Sequence, residues 1–249
     1  MRQKIACVIP ARLGSMRFPQ KVLSVLKGKP LLQWVYEAAS PLFETCVFAV
    51  DDEIVAELVA GFGAPYVMTS KDCQSGTMRL IEVRKQGKIK ADIWVNWQAD
   101  EPLIHQEMID DLLQSCDDPC QDVWTLKHRL EGDPNDPHTV KVVTDGRGKA
   151  LYFSRSPIPY SKEKVEYYKH VGLYAYSDRA LAIIEQLASC PLEKAESLEQ
   201  LRFLSGGLHI QVHETKHETQ GIDLPEHLAK LEGILSLTPR PITGKMEES

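Results

Sequence analysis

Three common signatures are missing from this 249-residue chain: there is no Gly-x-Gly-x-x-Gly, no Gly-x-x-x-x-Gly-Lys-Ser/Thr and no Cys-x-x-Cys. The first absence removes the usual dinucleotide turn, so a Rossmann dehydrogenase is a poor reading. The second removes the Walker A loop. The third removes a thioredoxin-type redox pair and the commonest zinc spacing. The six cysteines, Cys7, Cys46, Cys73, Cys116, Cys120 and Cys190, have no framework spacing; Cys7 and Cys46 lie in apolar runs and read as small buried hydrophobes. A basic excess is also missing. The formal net charge is −6, so no global field attracts nucleic acid or an anionic membrane. No apolar run approaches the about 18 to 20 residues of a membrane span. The short run Ile5 to Ile9 is too brief for a signal-peptide core, which makes the cytoplasm the expected location.

Hydrophobic residues make up 43% and charged residues 26%, ordinary for a globular α/β protein. Apolar runs alternate with helical patterns. Strands are expected at 5–10, 45–50, 64–68 and 93–98, and helices at 31–39, 53–62, 79–85 and 106–115. This is the rhythm of a doubly wound, mostly parallel sheet with its ligand at the carboxyl ends of the strands. After Asp122 the texture becomes β-rich. Strands are expected at 123–129, 139–144, 150–153, 167–176 and 210–214, with a hairpin turn at Asp145-Gly146-Arg147-Gly148. Helices are expected at 178–187, 197–205 and 225–237. The implied organisation is a nucleotide-binding core, 1–132 with 206–237, a smaller lobe, 133–205, and a frayed tail, 238–249.

An anionic ligand must therefore meet a local basic cluster, and the first strand opens into one. Pro10-Ala11-Arg12-Leu13-Gly14-Ser15-Met16-Arg17-Phe18-Pro19-Gln20-Lys21 carries three positive charges, a glycine and a serine ahead of a helix. Backbone N–H groups and fixed cations in a strand-to-helix loop suit a polyphosphate. The same residues also suit ordinary solvated loop charges. Asp100 follows the strand-like Ile93-Trp94-Val95-Asn96-Trp97-Gln98, where an α/β fold places a catalytic or metal-binding carboxylate. Mg²⁺ on a nucleotide takes one or two such carboxylates plus phosphate oxygens. A helix N-cap is the other reading of Asp100, and also of Asp223 in Gly221-Ile222-Asp223-Leu224-Pro225.

These segments resemble, in order from Ile5 to about Leu228, the 3-deoxy-manno-octulosonate (Kdo) cytidylyltransferases, the CMP-Kdo synthetases. The first loop is similar to the family's Pro-Ala-Arg-x-Gly-Ser-x-Arg-x-Pro-x-Lys. Met68 to Arg79 is similar to its cytosine- and ribose-facing loop, and Gln98-Ala99-Asp100-Glu101-Pro102 to its Gln-Gly-Asp-Glu-Pro. Tyr152-Phe153-Ser154-Arg155, His170-Val171-Gly172-Leu173-Tyr174 and Leu198-Glu199-Gln200-Leu201-Arg202 are similar to its sugar-side motifs. The resemblance implies CTP and an eight-carbon 2-keto acid sugar as substrates, Mg²⁺ as cofactor and a homodimer. It implies nucleotide contacts from Arg12, Gly14, Ser15, Arg17, Lys21, Ser75, Gly76 and Arg79. Sugar contacts are implied from Gln98, Arg155, His170, Tyr174, Glu199 and Gln200. Asp100 and Asp223 are implied as metal ligands, with Lys21 and Arg12 assisting catalysis. Five positions depart from the pattern: Cys73 stands for His, Met78 for an acid and Ala99 for Gly, while Leu224 and His227 differ beside Asp223 without touching the acid. The alternatives left open are another acid sugar, such as an amino-Kdo analogue or sialic acid, and a non-catalytic nucleotide-binding relative.

Overall fold

The computed structural model describes residues 3–14, 18–219, 221, 222, 227, 228, 231 and 233. Its strands are β1 (Ile5–Ala11), β2 (Val25–Leu26), β3 (Lys29–Pro30), β4 (Thr45–Val50), β5 (Tyr66–Met68), β6 (Ile93–Asn96), β7 (Val123–Arg129), β8 (Lys141–Thr144), β9 (Ala150–Ser154), β10 (Tyr168–Ser177) and β11 (Ile210–Glu214). Its α-helices are α1 (Leu31–Ala39), α2 (Glu53–Gly61), α3 (Gly76–Lys85), α4 (Gln106–Leu113), α5 (Asp178–Ile184), α6 (Pro191–Glu196) and α7 (Gln200–Ser205).

The main sheet runs β11-β7-β10-β6-β1-β4-β5, with β8 joined to β10 and β9. β6, β1, β4 and β5 are mutually parallel, as their spacing by helices requires. β1 lies innermost among these four. Its side chains alternate: Cys7 and Ile9 face one core, Ala6 and Val8 the other. α1, α2 and α4 cover the first face, and α3, α5 and α7 cover the second. Covered on both sides, the strand reads as an unbroken apolar run. From β1 the chain moves outward through β4 and β5, then returns to the other side of β1 as β6. That reversal opens a crevice beyond the carboxyl ends of β1 and β6, where such sheets bind ligands.

Residues 133–205, expected as a smaller lobe, take part in two structures. β8 and β9 form a hairpin, while β10 runs antiparallel between β6 and β7 inside the main sheet. Two helix starts differ from expectation. α3 begins at Gly76 rather than Arg79, because the Ser75 hydroxyl caps it by accepting the Met78 N–H at 3.2 Å. The helix expected at 197–205 begins at Gln200, because Ser197 is left-handed (φ 53°) and ends α6, a separate helix capped by Cys190 and Glu193. The closing helix expected at 225–237 lies mostly outside the described residues. Among the described residues no helix is long and apolar enough to cross a membrane.

Candidate active site

The loop after β1 and the loop after β4 meet in a cleft of about 490 Å³, lined by Arg12, Leu13, Gly14, Asp51, Asp52, Lys71 and Cys73. Asp51 ties the two loops together by accepting the Leu13 N–H at 2.9 Å. Arg12 is exposed, and Gly14 has nothing within 4 Å of the place a Cβ would occupy. Ser15 and Arg17, expected beside them, lie outside the described residues.

The floor of the cleft is set from within α3. Arg79 was expected to touch nucleotide, but it is only 2% exposed and its guanidinium is directed inward. It donates to Asp51 at 3.0 Å and to Thr69 Oγ1 at 2.5 Å. It shapes the loop rather than offering it a charge. Glu82, one turn further on, accepts the Ser70 N–H at 2.8 Å and the Cys73 thiol at 3.0 Å. Burial first, then the Glu82 carboxylate, pushes the Cys73 thiol up to about 11, so it stays protonated at neutral pH. Met78 borders a separate outer groove, not this cleft. On the rim, Lys71 pairs with Asp52 at 2.8 Å; that bond and the Ile54 N–H hold the Asp52 carboxyl below its ordinary value.

A second, smaller cavity of about 110 Å³ lies on the other side of the start of α3. Thr77, Asn96, Gln98, Tyr174, Glu199 and Gln200 line it. Gly76 fits closely here: a Cβ would come within 3.2 Å of Asn96 Nδ2 and 3.4 Å of Pro10 Cγ, so a larger residue would push on the Asn96 side chain. Tyr174 sits opposite Asn96 in the β10–β6 ladder and stacks on Tyr176 at 5.7 Å. Tyr174 is 9% exposed, and its hydroxyl has no hydrogen-bond partner among the described residues. His170 packs between Phe153 and Tyr174, with Nε2 3.0 Å from Thr125 Oγ1. Burial lowers its pKa to about 3, so it stays neutral behind Tyr174 and does not itself line the cavity.

Asp100 lies in the loop after β6 and forms an ion pair with Lys21, so the structure joins two residues 79 positions apart. The Asp100 carbonyl accepts the Ile222 N–H at 3.0 Å. Asp223 itself lies outside the described residues. Arg155 is not brought to the small cavity. Its Nε donates to the Glu196 carbonyl and its Nη1 to the Pro137 carbonyl, both at 2.8 Å. Asp51, Thr77, Asn96 and Tyr176 were not singled out from sequence. The Asp51-Asp52 pair at the end of an apolar strand was the available signal, and so was the Tyr174–Tyr176 alternation. Each needs the sheet order to become a site.

A cleft and a polar cavity at the switch point of a doubly wound sheet are where such folds bind small-molecule ligands, and comparison with known proteins gives the class, a nucleotidyltransferase. The sequence pattern of the cytidylyltransferase family matches residues 6–210. The chain is 45% identical over 244 residues to the 3-deoxy-manno-octulosonate cytidylyltransferase of Pelobacter propionicus, covering 91% of this chain and 95% of that one. It is 45% identical over 240 residues to the Escherichia coli protein of the same name, covering 94% and 96%. A solved CMP:2-keto-3-deoxy-manno-octonic acid synthetase complexed with CTP matches at a TM-score of 0.89 and 43% identity, covering 94% of this chain and 99% of its own. The chain belongs to the 3-deoxy-manno-octulosonate cytidylyltransferase family.

Proposed function

We infer that this enzyme joins CTP to Kdo, giving CMP-Kdo for lipopolysaccharide biosynthesis and pyrophosphate. The single observation that carries this reading is the likeness, over 94% of the chain, to a synthetase complexed with CTP. The anomeric hydroxyl oxygen of the sugar acid attacks the α-phosphorus. The bond from that phosphorus to the bridging oxygen breaks, pyrophosphate leaves, and the hydroxyl proton is lost to solvent. Arg12, Arg17 and Lys21 supply positive charge for the outer phosphates, where charge grows as pyrophosphate departs. Ser75 and Gly76 start α3 between the two cavities, so the helix N-terminus and the cleft face the nucleotide. Gln98, Tyr174 and Gln200 offer hydroxyl and amide partners to the sugar, with neutral His170 packed behind Tyr174.

The donor chemistry at Asp100 fits Mg²⁺. It is a hard oxygen ligand at the end of a strand, its side chain is 27% exposed, and the Ile222 N–H holds the residue before Asp223 against its backbone. Asp100 and Asp223 would hold the ion, which when bound neutralises phosphate charge and lowers the pKa of the attacking hydroxyl. The homodimer rests on the same family resemblance, and sedimentation would test it.

Pyrophosphate release with CTP tests the function, with Kdo, an amino analogue of Kdo and sialic acid offered in turn. The expected result is turnover with Kdo well above the other two. Preference for sialic acid would move the enzyme to another sugar. Lys21→Ala is expected to weaken CTP about tenfold and CMP much less, because the lost charge serves the outer phosphates. Calorimetric titration of both nucleotides reads this directly, and equal losses would place Lys21 away from them.

A further inference from the structure

Ser75, Arg79, Glu82 and Gln86 recur at steps of four, three and four, which sets them along one face of α3. That face holds the segment 68–75. Gln86, the C-cap, donates to the Met68 carbonyl at 2.7 Å. Arg79 donates to Thr69 Oγ1 and, at 3.3 Å, to the Ser70 carbonyl. Glu82 accepts instead. Its Oε1 and Oε2 lie 2.8 Å and 3.0 Å from the Ser70 nitrogen, and Oε2 also takes the Cys73 thiol at 3.0 Å. One half-buried carboxylate therefore pins the loop at two points, on either side of Lys71. From this loop Lys71 and Cys73 line the cleft, whereas Glu82 lies behind them in the wall of the outer groove. Cys73 borders both spaces.

We propose that Glu82 is a positioning residue for the nucleotide: it fixes the loop from Ser70 to Cys73 from behind, so that Lys71 and Cys73 stand at the cleft while Glu82 itself touches no ligand. This rests on the CTP site proposed above. Bonds to a carboxylate are the strong ones. The loop's own bonds, from the Asp72 N–H to Ser70 Oγ and from the Cys73 N–H to the Ser70 carbonyl, close it on itself and do not fix it to the helix. Lys71 reaches only across the rim to Asp52, in an exposed pair of small worth. Between Ser70 and the Ser75 cap, the Cys73 thiol is the tie to α3 seen among the described residues. Cys73 departs from the family's pattern, so this chain makes that tie with sulfur. Burial first, then Glu82, raises the thiol; Arg79 opposes them and Asp72 adds least, so the proton the bond needs is in place at neutral pH.

The test reads CTP affinity by calorimetry, KM for CTP and for Kdo, and the pH dependence of Cys73 alkylation by iodoacetamide, followed by mass spectrometry of the Cys73 peptide. Glu82→Gln has nearly the same shape but one acceptor oxygen in place of two. It is expected to weaken CTP about five- to tenfold, with smaller changes in kcat and in KM for Kdo. With the carboxylate gone, Cys73 is expected to be alkylated at lower pH than in the wild type. A second pair of variants does not depend on how Glu82→Gln folds. Cys73→Ser keeps a donor for Glu82 and is expected to lose less CTP affinity than Cys73→Ala. Unchanged CTP affinity in Glu82→Gln, or equal losses in Cys73→Ser and Cys73→Ala, would overturn the proposal. So would an unshifted alkylation profile, or losses in kcat and in KM for Kdo as large as the loss for CTP, which is what general loosening of α3 produces. If the wild type binds no CTP while the alkylation profile shifts as expected, the fault lies in the function proposed above, and the positioning role falls with it although the bond stands.

Discussion

Asp100→Asn is expected to reduce pyrophosphate release about a thousandfold or more, roughly 4 kcal/mol of transition-state stabilisation, with the fold intact. The amide has nearly the shape of the carboxylate. It is a poor ligand for a hard cation and cannot offset phosphate charge. The backbone bond from Ile222 to the Asp100 carbonyl does not depend on the side chain and remains. The ion pair with Lys21 is lost, but the pair is partly open to solvent, with side chains 14% and 27% exposed, so the stability cost is small. Circular dichroism and a melting curve should match the wild type while turnover collapses. Addition of a chelator to the wild type should produce the same loss, reversed by excess Mg²⁺. Activity in the variant within tenfold of normal would remove Asp100 from the reaction.

Lys21 and Asp100 show how far a sequence can take such a site. Each was legible singly, from a basic loop and from an acid after an apolar strand. The parallel core was legible for the same reason: short unbroken apolar runs, buried on both faces as strands, alternate with helical patterns. What the sequence could not supply was the direction of side chains that depend on sheet order. Arg79 stands in a motif that resembles a nucleotide-binding loop, and only the position of α3 against β4 shows that its guanidinium is turned inward to Asp51. Arg155 is the parallel case, held by the Pro137 and Glu196 carbonyls. Both arginines match their motifs by residue type, yet the guanidinium donors, buried in Arg79 and partly buried in Arg155, pair with the acceptors the fold places nearby. Helix starts were missed where side chains cap locally: Ser75 adds three residues to α3, and the Cys190–Glu193 box starts α6. Such caps are local and cheap, and apolar periodicity does not report them.

The inward turn of Arg79 carries the largest expected effect on stability. Its side chain is 2% exposed and that of Asp51 10%, so the pair is nearly out of water. Removing one member of a buried ion pair costs about 3 to 5 kcal/mol, because the other is left charged and poorly solvated. Arg79→Leu fills part of the volume but strands Asp51, which keeps only the Leu13 N–H of the bonds described above. It also frees Thr69 Oγ1 and the Ser70 carbonyl, both held by the guanidinium. Urea denaturation is expected to show a loss in that range. CTP should bind more weakly as well, since Asp51 joins the two loops that wall the cleft. The double variant Asp51→Asn/Arg79→Leu is the informative comparison. Its amide oxygen can still accept from Leu13 and no charge is stranded, so it should be more stable than Arg79→Leu alone. If the double variant were instead the less stable of the two, the cost would lie in lost packing around α3 rather than in the uncompensated carboxylate. A loss below about 1 kcal/mol in Arg79→Leu would mean that Asp51 reaches water once its partner is gone, and that the cleft floor does not depend on this pair.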